Sequence, residues 1–450
     1  MPSPPYCNPI SRTQVSKFGE FLKWVQSLNH LSEDPGTSAL EISDDVTIGG
    51  RGVVARSSIP ASDSCLLSVD VNDPRLVITP ARALRLLNQC SCTSRKLWAT
   101  PFTTSLEPQD VLVVFFLHIK LAASSGKCDL WRIWRTYFDM LPETFSDVAY
   151  ISSHEPAMFA KILPLLPMSM KYAFSLQVQK MKNSYKRIFG NSGSETSELD
   201  FSWAWSVVNS RCVYVNLGRW AEGKDLFPLS SAPVLRFRSG CNANIAIVPF
   251  FDFFNHSPHV SVSIEVTDGI LRLKTNTHYQ PGEQVFINYG SHDNLFLLCE
   301  YGFCIPGEMN PCESIYPTYR NLLSITQSPK KLQYAIANLQ LDVPAEKTED
   351  TVWKSVYIAS GNGPSYYLVL ILFAVFSDGE EIPSLDALFR LDESDRSPPV
   401  SQGFRRLVCT LIQEHGAALQ ALIALNSPGL FMEQLVTIIS SRCDLLSSLV

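Results

Sequence analysis

The spacing of apolar residues changes along the chain from helical to strand-like and back again, which predicts a mixed fold. Apolar residues recur on one helical face over Ser16–Leu28, so this segment predicts an amphipathic helix. A glycine-rich turn then leads into Val53–Ala55, a predicted strand for which Cys65–Val69 is the expected pairing partner. From about Pro80 the pattern is helical, until the glycines and polar residues of Gly190–Glu198 predict a linker.

A β-hairpin is predicted after residue 260. Val260 starts a run of apolar residues at every second position, Asp268-Gly269 supplies the turn, and Ile270–Lys274 forms the returning strand. Gln284–Asn288 predicts one more short strand. Beyond about Pro306 the chain is helical again. The clearest apolar helical faces consist of Leu130, Trp134, Tyr137, Phe138 and Leu141, and of Phe431, Leu435, Ile438 and Ile439.

These segments predict an α+β protein in which a β-rich domain is interrupted by a helical insert and followed by an all-helical C-terminal domain. The expected boundaries are a flexible tail over 1–15, the β-rich domain over 16–305 with the insert at about 80–200, and the helical domain over 306–450. A chain of 450 residues has room for this many units, each with its own core.

Net charge narrows the range of partners. The chain has 37 Lys and Arg against 43 Asp and Glu, a formal charge of −6. A broadly basic protein that binds nucleic acid by neutralising phosphates is therefore excluded, and no direct nucleic-acid binding is expected. A disordered chain is excluded as well, because 46% of the residues are hydrophobic and 11% are aromatic.

The distribution of apolar residues also bears on location. Met1–Pro9 carries no positively charged and apolar pattern of a secretory signal. The longest apolar runs, Val111–Leu117 and Tyr366–Phe376, are too short to span a bilayer and predict buried helices. We therefore expect a monomer of the cytoplasm and/or nucleus with no membrane attachment.

The 12 cysteines form no CxxC pair. Cys90-Ser-Cys92 lacks a matching second pair, and the spacing of Cys299, Cys304 and Cys312 fits no zinc template. The sequence thus predicts reduced structural thiols and no metal site.

Three short blocks carry candidate chemistry: Gly49–Gly52, Pro249–His259 and Gly282–Phe303. Taken singly, each has a plain structural interpretation as a turn, an aromatic core segment or a strand end. The generic motifs of metal-dependent hydrolysis, nucleotide hydrolysis and hydride transfer find no support in the chain.

In their order and spacing the three blocks resemble the SET-domain methyltransferases. The helical insert and helical tail resemble the branch that contains the Rubisco large-subunit methyltransferase, and Leu130–Pro142 and Trp203–Tyr214 add to this resemblance. It implies a SET domain as the β-rich unit, S-adenosylmethionine as the cofactor and a protein substrate. The cysteine-rich zinc site that follows the domain in histone-type SET enzymes is not found in this sequence.

The resemblance also assigns roles to single residues. Tyr289 is expected to be the catalytic residue, with its hydroxyl at the point where methyl donor and acceptor meet. The expected cofactor-binding residues are Gly49, Gly50, Arg51, Arg211, Asp252, Asn255, His256, Tyr301, Gly302 and Phe303. The expected substrate-binding residues are Asp252, Ile287, Tyr289 and Tyr301.

The predicted function is transfer of a methyl group from S-adenosylmethionine to a lysine side-chain nitrogen of a protein, histone or non-histone. One alternative is a protein-histidine N-methyltransferase. Cys212-Val213 after Arg211 favours lysine, because a histidine-modifying relative carries Gln-Asn there. The other alternative is a non-catalytic SET module that binds peptides.

Overall fold

A computed structural model describes residues 12–28, 38–46, 50–90, 92, 106–124, 126–190, 197–217, 244–306, 310–339, 341, 352–379 and 383–450. The chain folds into two compact units. The first consists of residues 1–145 and 181–290, and the second of residues 146–180 and 291–450. Residues 146–180, which the sequence assigns to the helical insert, thus belong to the second unit, and that unit resumes at Ser291 rather than at the expected residue 306.

The strands of the described residues are short and form several small sheets. They are β1 (Leu40–Val46), β2 (Gly50–Ala55), β3 (Ser64–Asp70), β4 (Val213–Tyr214), β5 (Ile245–Ala246), β6 (Asn255–His256), β7 (Val262–Thr267), β8 (Ile270–Thr275), β9 (Phe286–Ile287), β10 (Ser314–Ile315), β11 (Ile358–Ala359) and β12 (Gly363–Pro364). Antiparallel pairing joins β1 to β2, β4 to β5, and the sets β3–β8–β7 and β10–β11–β12. Only β6 and β9, among these described strands, pair in parallel.

The helices of the described residues are α1 (Arg12–Leu28), α2 (Pro80–Gln89), α3 (Pro108–Ala123), α4 (Asp129–Phe138), α5 (Val148–His154), α6 (Pro156–Ile162), α7 (Met168–Phe189), α8 (Glu198–Arg211), α9 (Asn294–Tyr301), α10 (Tyr319–Ile325), α11 (Pro329–Asn338), α12 (Tyr366–Phe376), α13 (Leu385–Leu388), α14 (Pro398–Leu425) and α15 (Leu430–Ser447). Short 3₁₀ turns span Leu163–Leu165 and Phe251–Phe253. Mixed helix and strand, with a helical C-terminal region, confirms the predicted α+β class.

The core of the first unit is built around α3, whose apolar residues from Val111 to Leu117 are fully buried. Phe115 packs edge-on against Trp134 of α4, with ring centroids 5.3 Å apart. Phe21 of α1 stacks on Tyr137 of α4 at 6.1 Å. These ring contacts bury large apolar areas and hold α1, α3 and α4 together, so the insert is part of the core that supports the first unit.

The predicted hairpin is confirmed, since β7 and β8 pair across a turn in which Asp268 and Gly269 both have positive φ. The predicted pairing of Cys65–Val69 with Val53–Ala55 is wrong. The former lies in β3, which pairs with β8, and β2 pairs with β1 instead. Acidic residues in β1, sequence LEISDDV, hide that strand from a search for apolar alternation.

Each unit contains helices that the sequence predicts well. α1 covers the predicted N-terminal helix but begins at Arg12, and residues 1–11 of the predicted tail lie outside the described part of the chain. In the second unit α12 is almost entirely buried, as its apolar sequence predicts, and packs in the same apolar cluster as residues of α14. The predicted apolar face of α15 is buried as well.

One described helix, α14, is long and apolar enough to cross a membrane when judged by length and composition alone. A single helix of this kind is weak evidence, because core helices of soluble proteins pass the same test. Leu407, Val408 and Leu411 of α14 are buried in the apolar cluster of the second unit.

Candidate active site

The parallel pair β6 and β9 brings two of the three motif blocks side by side in the first unit. Asn255 lies opposite Phe286, and His256 lies opposite Ile287. The backbone N–H of Ser257 donates to the carbonyl of Ile287 at 3.0 Å and extends the pairing. Ile287, which is a predicted substrate contact, has an apolar side chain and is buried.

Tyr289 follows β9 and is held by residues on and beside β6. Its hydroxyl donates to the carbonyl of Phe254 at 2.7 Å, and its backbone N–H donates to Nδ1 of His256 at 3.1 Å. The rings of Tyr289 and His256 stack with centroids 5.1 Å apart. Because Nδ1 of His256 accepts a hydrogen bond, the neutral ring carries its proton on Nε2. Both the phenol and the imidazole therefore have fixed orientations.

Asn255 connects the glycine block to β6. Its side-chain Nδ2 donates to the carbonyl of Arg51 at 2.8 Å. A Cβ at Gly52 would lie 2.6 Å from that same nitrogen, so only glycine fits here without movement. Gly50 has φ +69° and open space where a side chain would begin. Gly49 lies outside the described residues.

The side chain of Arg51 points away from the glycine backbone toward structural partners. Its Nε pairs with Asp44 at 2.5 Å, and its Nη1 donates to the carbonyl of Met140 at 2.6 Å. The guanidinium also lies 5.4 Å from the ring centre of Phe18. These contacts tie the start of β2 to α1 and to the end of α4, which leaves the backbone of Arg51 as the part that faces Asn255.

A buried polar network lies beside the 3₁₀ turn that precedes β6. Oδ2 of Asp252 accepts from the Tyr137 hydroxyl at 2.7 Å and from Nη1 of Arg211 at 2.8 Å. Nη1 of Arg211 also donates to the Asp252 carbonyl at 3.1 Å. The Asp252 side chain is fully buried and that of Arg211 is 12% exposed. The network fixes the last residue of α8 to the turn.

Burial and the charge of the partner have opposite effects on the pKa values of Asp252 and Arg211. Burial raises the pKa of Asp252, while the Arg211 guanidinium and the Tyr137 hydroxyl oppose the rise. Burial is the largest single influence on Arg211 and lowers its pKa, but Asp252 and Tyr137 act together with smaller contributions to raise the pKa overall. Burial and the nearby Asp252 charge raise the pKa of Tyr137 well above its usual value. We conclude that Asp252 and Arg211 form a buried ion pair.

Comparison with known proteins identifies the family. The sequence pattern of the SET domain matches residues 50–290, more than half of the chain. The chain belongs to the SET domain family. This match confirms the resemblance that was inferred from the three blocks, and the relatives and solved structures below confirm the branch that was inferred from the helical insert and tail.

Several relatives of this SET protein come from the predicted branch. SET domain-containing protein 4 of Mus musculus is 25% identical over 440 residues, covering 91% of this chain and 84% of the relative. Ribosomal lysine N-methyltransferase set11 of Schizosaccharomyces pombe is 25% identical over 260 residues, covering 56% and 57%. The Rubisco large subunit N-methyltransferase of Pisum sativum is 24% identical over 305 residues, covering 64% and 51%.

Solved structures confirm the fold of the SET protein. A crystal structure of the SET domain of LSMT bound to lysine and AdoHcy aligns with a TM-score of 0.56 and 20% identity. The alignment covers 97% of this chain and 90% of that one. A structure of Rubisco LSMT bound to AdoMet aligns with a TM-score of 0.53 and 19% identity, over 96% and 90% of the two chains.

The first unit of the SET protein has the groups that S-adenosylmethionine requires. Oδ1 of Asp252 and Nε of Arg211 are buried and have no hydrogen-bond partner among the described residues. Such atoms are costly to leave unsatisfied, so a polar ligand that contacts them is favoured. Gly50 has no side chain and has open space beside it, so a ligand can come close to its backbone. The stacked rings of His256 and Tyr289 add an aromatic surface. These residues fit the cofactor that the family resemblance implies.

The predicted residues Tyr301, Gly302 and Phe303 belong to the second unit. Gly302 ends α9 with φ +78°, and a Cβ there would lie 2.7 Å from the backbone nitrogen of Asp147. Its carbonyl accepts from Nε2 of Gln434 at 3.0 Å. The described contacts of Gly302 thus give it a structural role at the end of α9, and the proposed cofactor contacts of these three residues stay a prediction.

Sequence reasoning missed the partner of Asp252. Tyr137 was counted among the apolar face of its helix, although its hydroxyl reaches Asp252, 115 positions later in the chain. The signal in the sequence is the hydroxyl group of Tyr137 on a helix face that is otherwise apolar, because a buried hydroxyl needs a hydrogen-bond partner. Sequence reasoning also missed the cluster of Cys90, Cys92, His118 and Cys128, because its members are far apart in sequence.

Proposed function

We propose that this SET protein is a protein-lysine N-methyltransferase that uses S-adenosylmethionine. The observation that carries the proposal is the placement of Tyr289, with its hydroxyl and ring fixed by Phe254 and His256 at the junction of two motif blocks. Relatives of the same branch are named as lysine N-methyltransferases of ribosomal proteins, of fructose-bisphosphate aldolase and of Rubisco.

The glycine block and the buried ion pair would hold the cofactor. Backbone of Gly50 and Arg51, with Asn255 bound behind it, forms one wall. Oδ1 of Asp252 is a buried hydrogen-bond acceptor, and Nε of Arg211 is a buried hydrogen-bond donor. When bound, S-adenosylmethionine supplies a methyl group on a positively charged sulfur, and that charge also lowers the pKa of a nearby ammonium.

The residues of this chain orient the acceptor and exclude water. The Tyr289 hydroxyl donates its proton to the carbonyl of Phe254. The lone pairs of its oxygen therefore remain available to accept a hydrogen bond from an N–H group. Ile287 gives an apolar wall against which a lysine methylene stem can lie. A neutral amine needs no general base at the moment of transfer, because its proton leaves to solvent beforehand. Alignment of donor and acceptor is then the main contribution of the protein.

The proposed substrate is a protein with an accessible lysine, and both histones and non-histone proteins belong to the proposed range. The helical C-terminal residues 306–450 are proposed to bind that substrate. The proposed location is the cytoplasm and/or nucleus, supported by the free cysteines of the described residues, which suit a reducing compartment. The protein is further proposed to act as a monomer without binding nucleic acid.

The experiment is methylation of a whole-cell extract and of purified histones by the full chain with isotope-labelled S-adenosylmethionine. Fragmentation mass spectrometry of labelled peptides then identifies the modified residue. We expect label on lysine in at least one protein. Label on histidine would replace the proposal with the histidine alternative. Calorimetry of cofactor binding accompanies the assay, and a folded protein that neither binds cofactor nor transfers label would be the non-catalytic module.

A further inference from the structure

Four side chains of the types that bind metal ions meet in the first unit, and none of them is assigned to methyl transfer. They come from three segments: Cys90 ends α2, Cys92 follows it, His118 lies within α3, and Cys128 directly precedes α4. Their three sulfurs and Nε2 of His118 all lie within 4.8 Å of one another.

Five of the six distances between the four candidate ligand atoms lie between 3.3 and 3.6 Å. Sγ of Cys90 lies 3.3 Å from Sγ of Cys92 and 3.6 Å from Sγ of Cys128. Nε2 of His118 lies 3.4, 3.3 and 3.5 Å from the sulfurs of Cys90, Cys92 and Cys128. Zinc bonds of about 2.3 Å to sulfur and about 2.0 Å to nitrogen would place two sulfurs about 3.8 Å apart, and a sulfur and a nitrogen about 3.5 Å apart. We propose that Cys90, Cys92, His118 and Cys128 bind one structural Zn²⁺ ion.

The position of Cys128 in the fold suits a metal-bound thiolate. Cys128 precedes the first turn of the ten-residue helix α4, where the helix dipole stabilises negative charge. On binding, the three thiols release their protons to solvent and the neutral imidazole ring supplies the fourth ligand.

Other uses of these residues fit the geometry less well. A disulfide requires sulfurs about 2.05 Å apart, whereas the sulfur of Cys90 lies 3.3 Å from that of Cys92 and 3.6 Å from that of Cys128. Sulfur and imidazole ligands in a tetrahedron select zinc over magnesium or calcium.

The site is structural rather than catalytic. All four tetrahedral positions are filled by protein atoms, so no position is left for water or substrate. The ion would link the end of α2 and the start of α4 to the middle of α3, which is the most buried helix of the first unit. It thus would hold together the helices on which Tyr137 and the Asp252 network depend.

The proposal departs from the expectation of no metal site at Cys90 and Cys92. The fold places His118 beside Cys92, 26 positions away in sequence, and Cys128 beside Cys90, 38 positions away. Because no zinc template has this spacing, the sequence alone gives no signal beyond the Cys-x-Cys itself.

The test is elemental analysis of the full-length protein expressed with zinc in the medium and purified without chelator. We expect about one zinc per chain, and loss of zinc to the buffer background in Cys128→Ser. Cys65→Ser is the matched control: it removes a free, half-buried thiol from the same unit and should retain full zinc content. Metal-free wild type loaded with Co²⁺ should show the intense visible absorption of tetrahedral thiolate coordination.

The cobalt spectrum keeps the test decisive even where Cys128→Ser does not fold, since it uses the wild-type chain. Folded wild type that contains no zinc and gives no such absorption would overturn the proposal. So would iron in place of zinc, or a disulfide between any two of these cysteines in native protein under non-denaturing purification. None of these outcomes depends on methyl transfer, so failure of the zinc site is distinguishable from failure of the proposed function.

Discussion

Asp252 connects α4 and α8 to the 3₁₀ turn of the first unit through its hydrogen bonds to Tyr137 and Arg211. Its side chain is fully buried and receives both the Tyr137 hydroxyl and the Arg211 guanidinium on one oxygen. A buried pair is not evidence of extra stability, but removal of one partner leaves a charge without compensation. The family resemblance predicted both Asp252 and Arg211 as cofactor contacts, and the structure shows that they also bind each other.

This pairing predicts a large stability loss for Asp252→Asn. The substitution leaves the Arg211 charge buried, which should lower the free energy of unfolding by about 3–5 kcal/mol. Urea unfolding of the full chain measures the loss. The control Asp129→Asn breaks an exposed pair with Arg132 on α4 and should cost less than about 1 kcal/mol. Equal losses for the two variants would contradict a buried ion pair at Asp252.

At the level of elements, a helix ending in the second unit depends on one glycine. Gly302 combines a positive φ with a backbone neighbour, Asp147, that leaves no room for a Cβ. The family resemblance implies that Tyr301, Gly302 and Phe303 contact the cofactor, and the structure shows that packing at the end of α9 requires glycine at position 302.

We expect Gly302→Ala to destabilise the protein by roughly 2–5 kcal/mol, the sum of left-handed backbone strain and overpacking. Gly361→Ala is the matched control, because Gly361 also has a positive φ, +75°, but nothing within 4 Å of the added Cβ. Its cost should be the strain alone, about 1–2 kcal/mol. Thermal unfolding compares the two. A Gly302→Ala protein as stable as Gly361→Ala would show that the helix end can move away from Asp147.

Elements with a strict local pattern could be predicted, and elements that depend on distant partners could not. The β7–β8 hairpin follows from alternation and an Asp-Gly turn, and α12 follows from its continuous apolar run. β1 was missed because its acidic residues interrupt the alternation. The pairing of β3 with β8 joins residues about 200 positions apart, and no local pattern encodes such a choice.

The same distinction holds for the candidate site. Tyr289, Asn255 and His256 lie in short blocks whose order and spacing resemble a known family, so they could be identified from sequence. Tyr137 and the cysteine–histidine cluster acquire their roles only when the insert folds against the rest of the first unit. A single sequence does not reveal such contacts. A row of apolar residues on a helix predicts that the helix face is buried, but it does not predict which residue hydrogen-bonds to a polar atom on that face, such as the hydroxyl oxygen of Tyr137.

At the scale of the whole molecule, His415 makes stability depend on pH. It is buried in α14, and its Nδ1 donates to the carbonyl of Leu411 at 2.9 Å. Burial, together with the nearby Arg442 charge, lowers the pKa of His415 to about 4 from 6.5. Between these two values the unfolded chain binds a proton that the folded chain does not, so acid favours unfolding.

We therefore predict that the contribution of His415 to stability is complete above about pH 6.5 and is lost progressively as the pH falls to about 4, for a total of about 3 kcal/mol. Urea unfolding at a series of pH values should show a steeper loss for the wild type than for His415→Gln, which has no group to protonate. Parallel pH profiles for the two proteins would exclude this role of His415.

The most direct test of the central claim is the rate of methyl transfer to lysine by three forms of the full chain. Wild type should transfer labelled methyl groups from S-adenosylmethionine to lysine, and Tyr289→Phe should be slower by roughly 100-fold or more because the acceptor loses its alignment. Tyr279→Phe removes another buried tyrosine hydroxyl, one that hydrogen-bonds to the backbone of Phe286, and should keep the wild-type rate. Equal rates in all three proteins, or no transfer by folded wild type, would contradict the assignment of Tyr289 and of the activity.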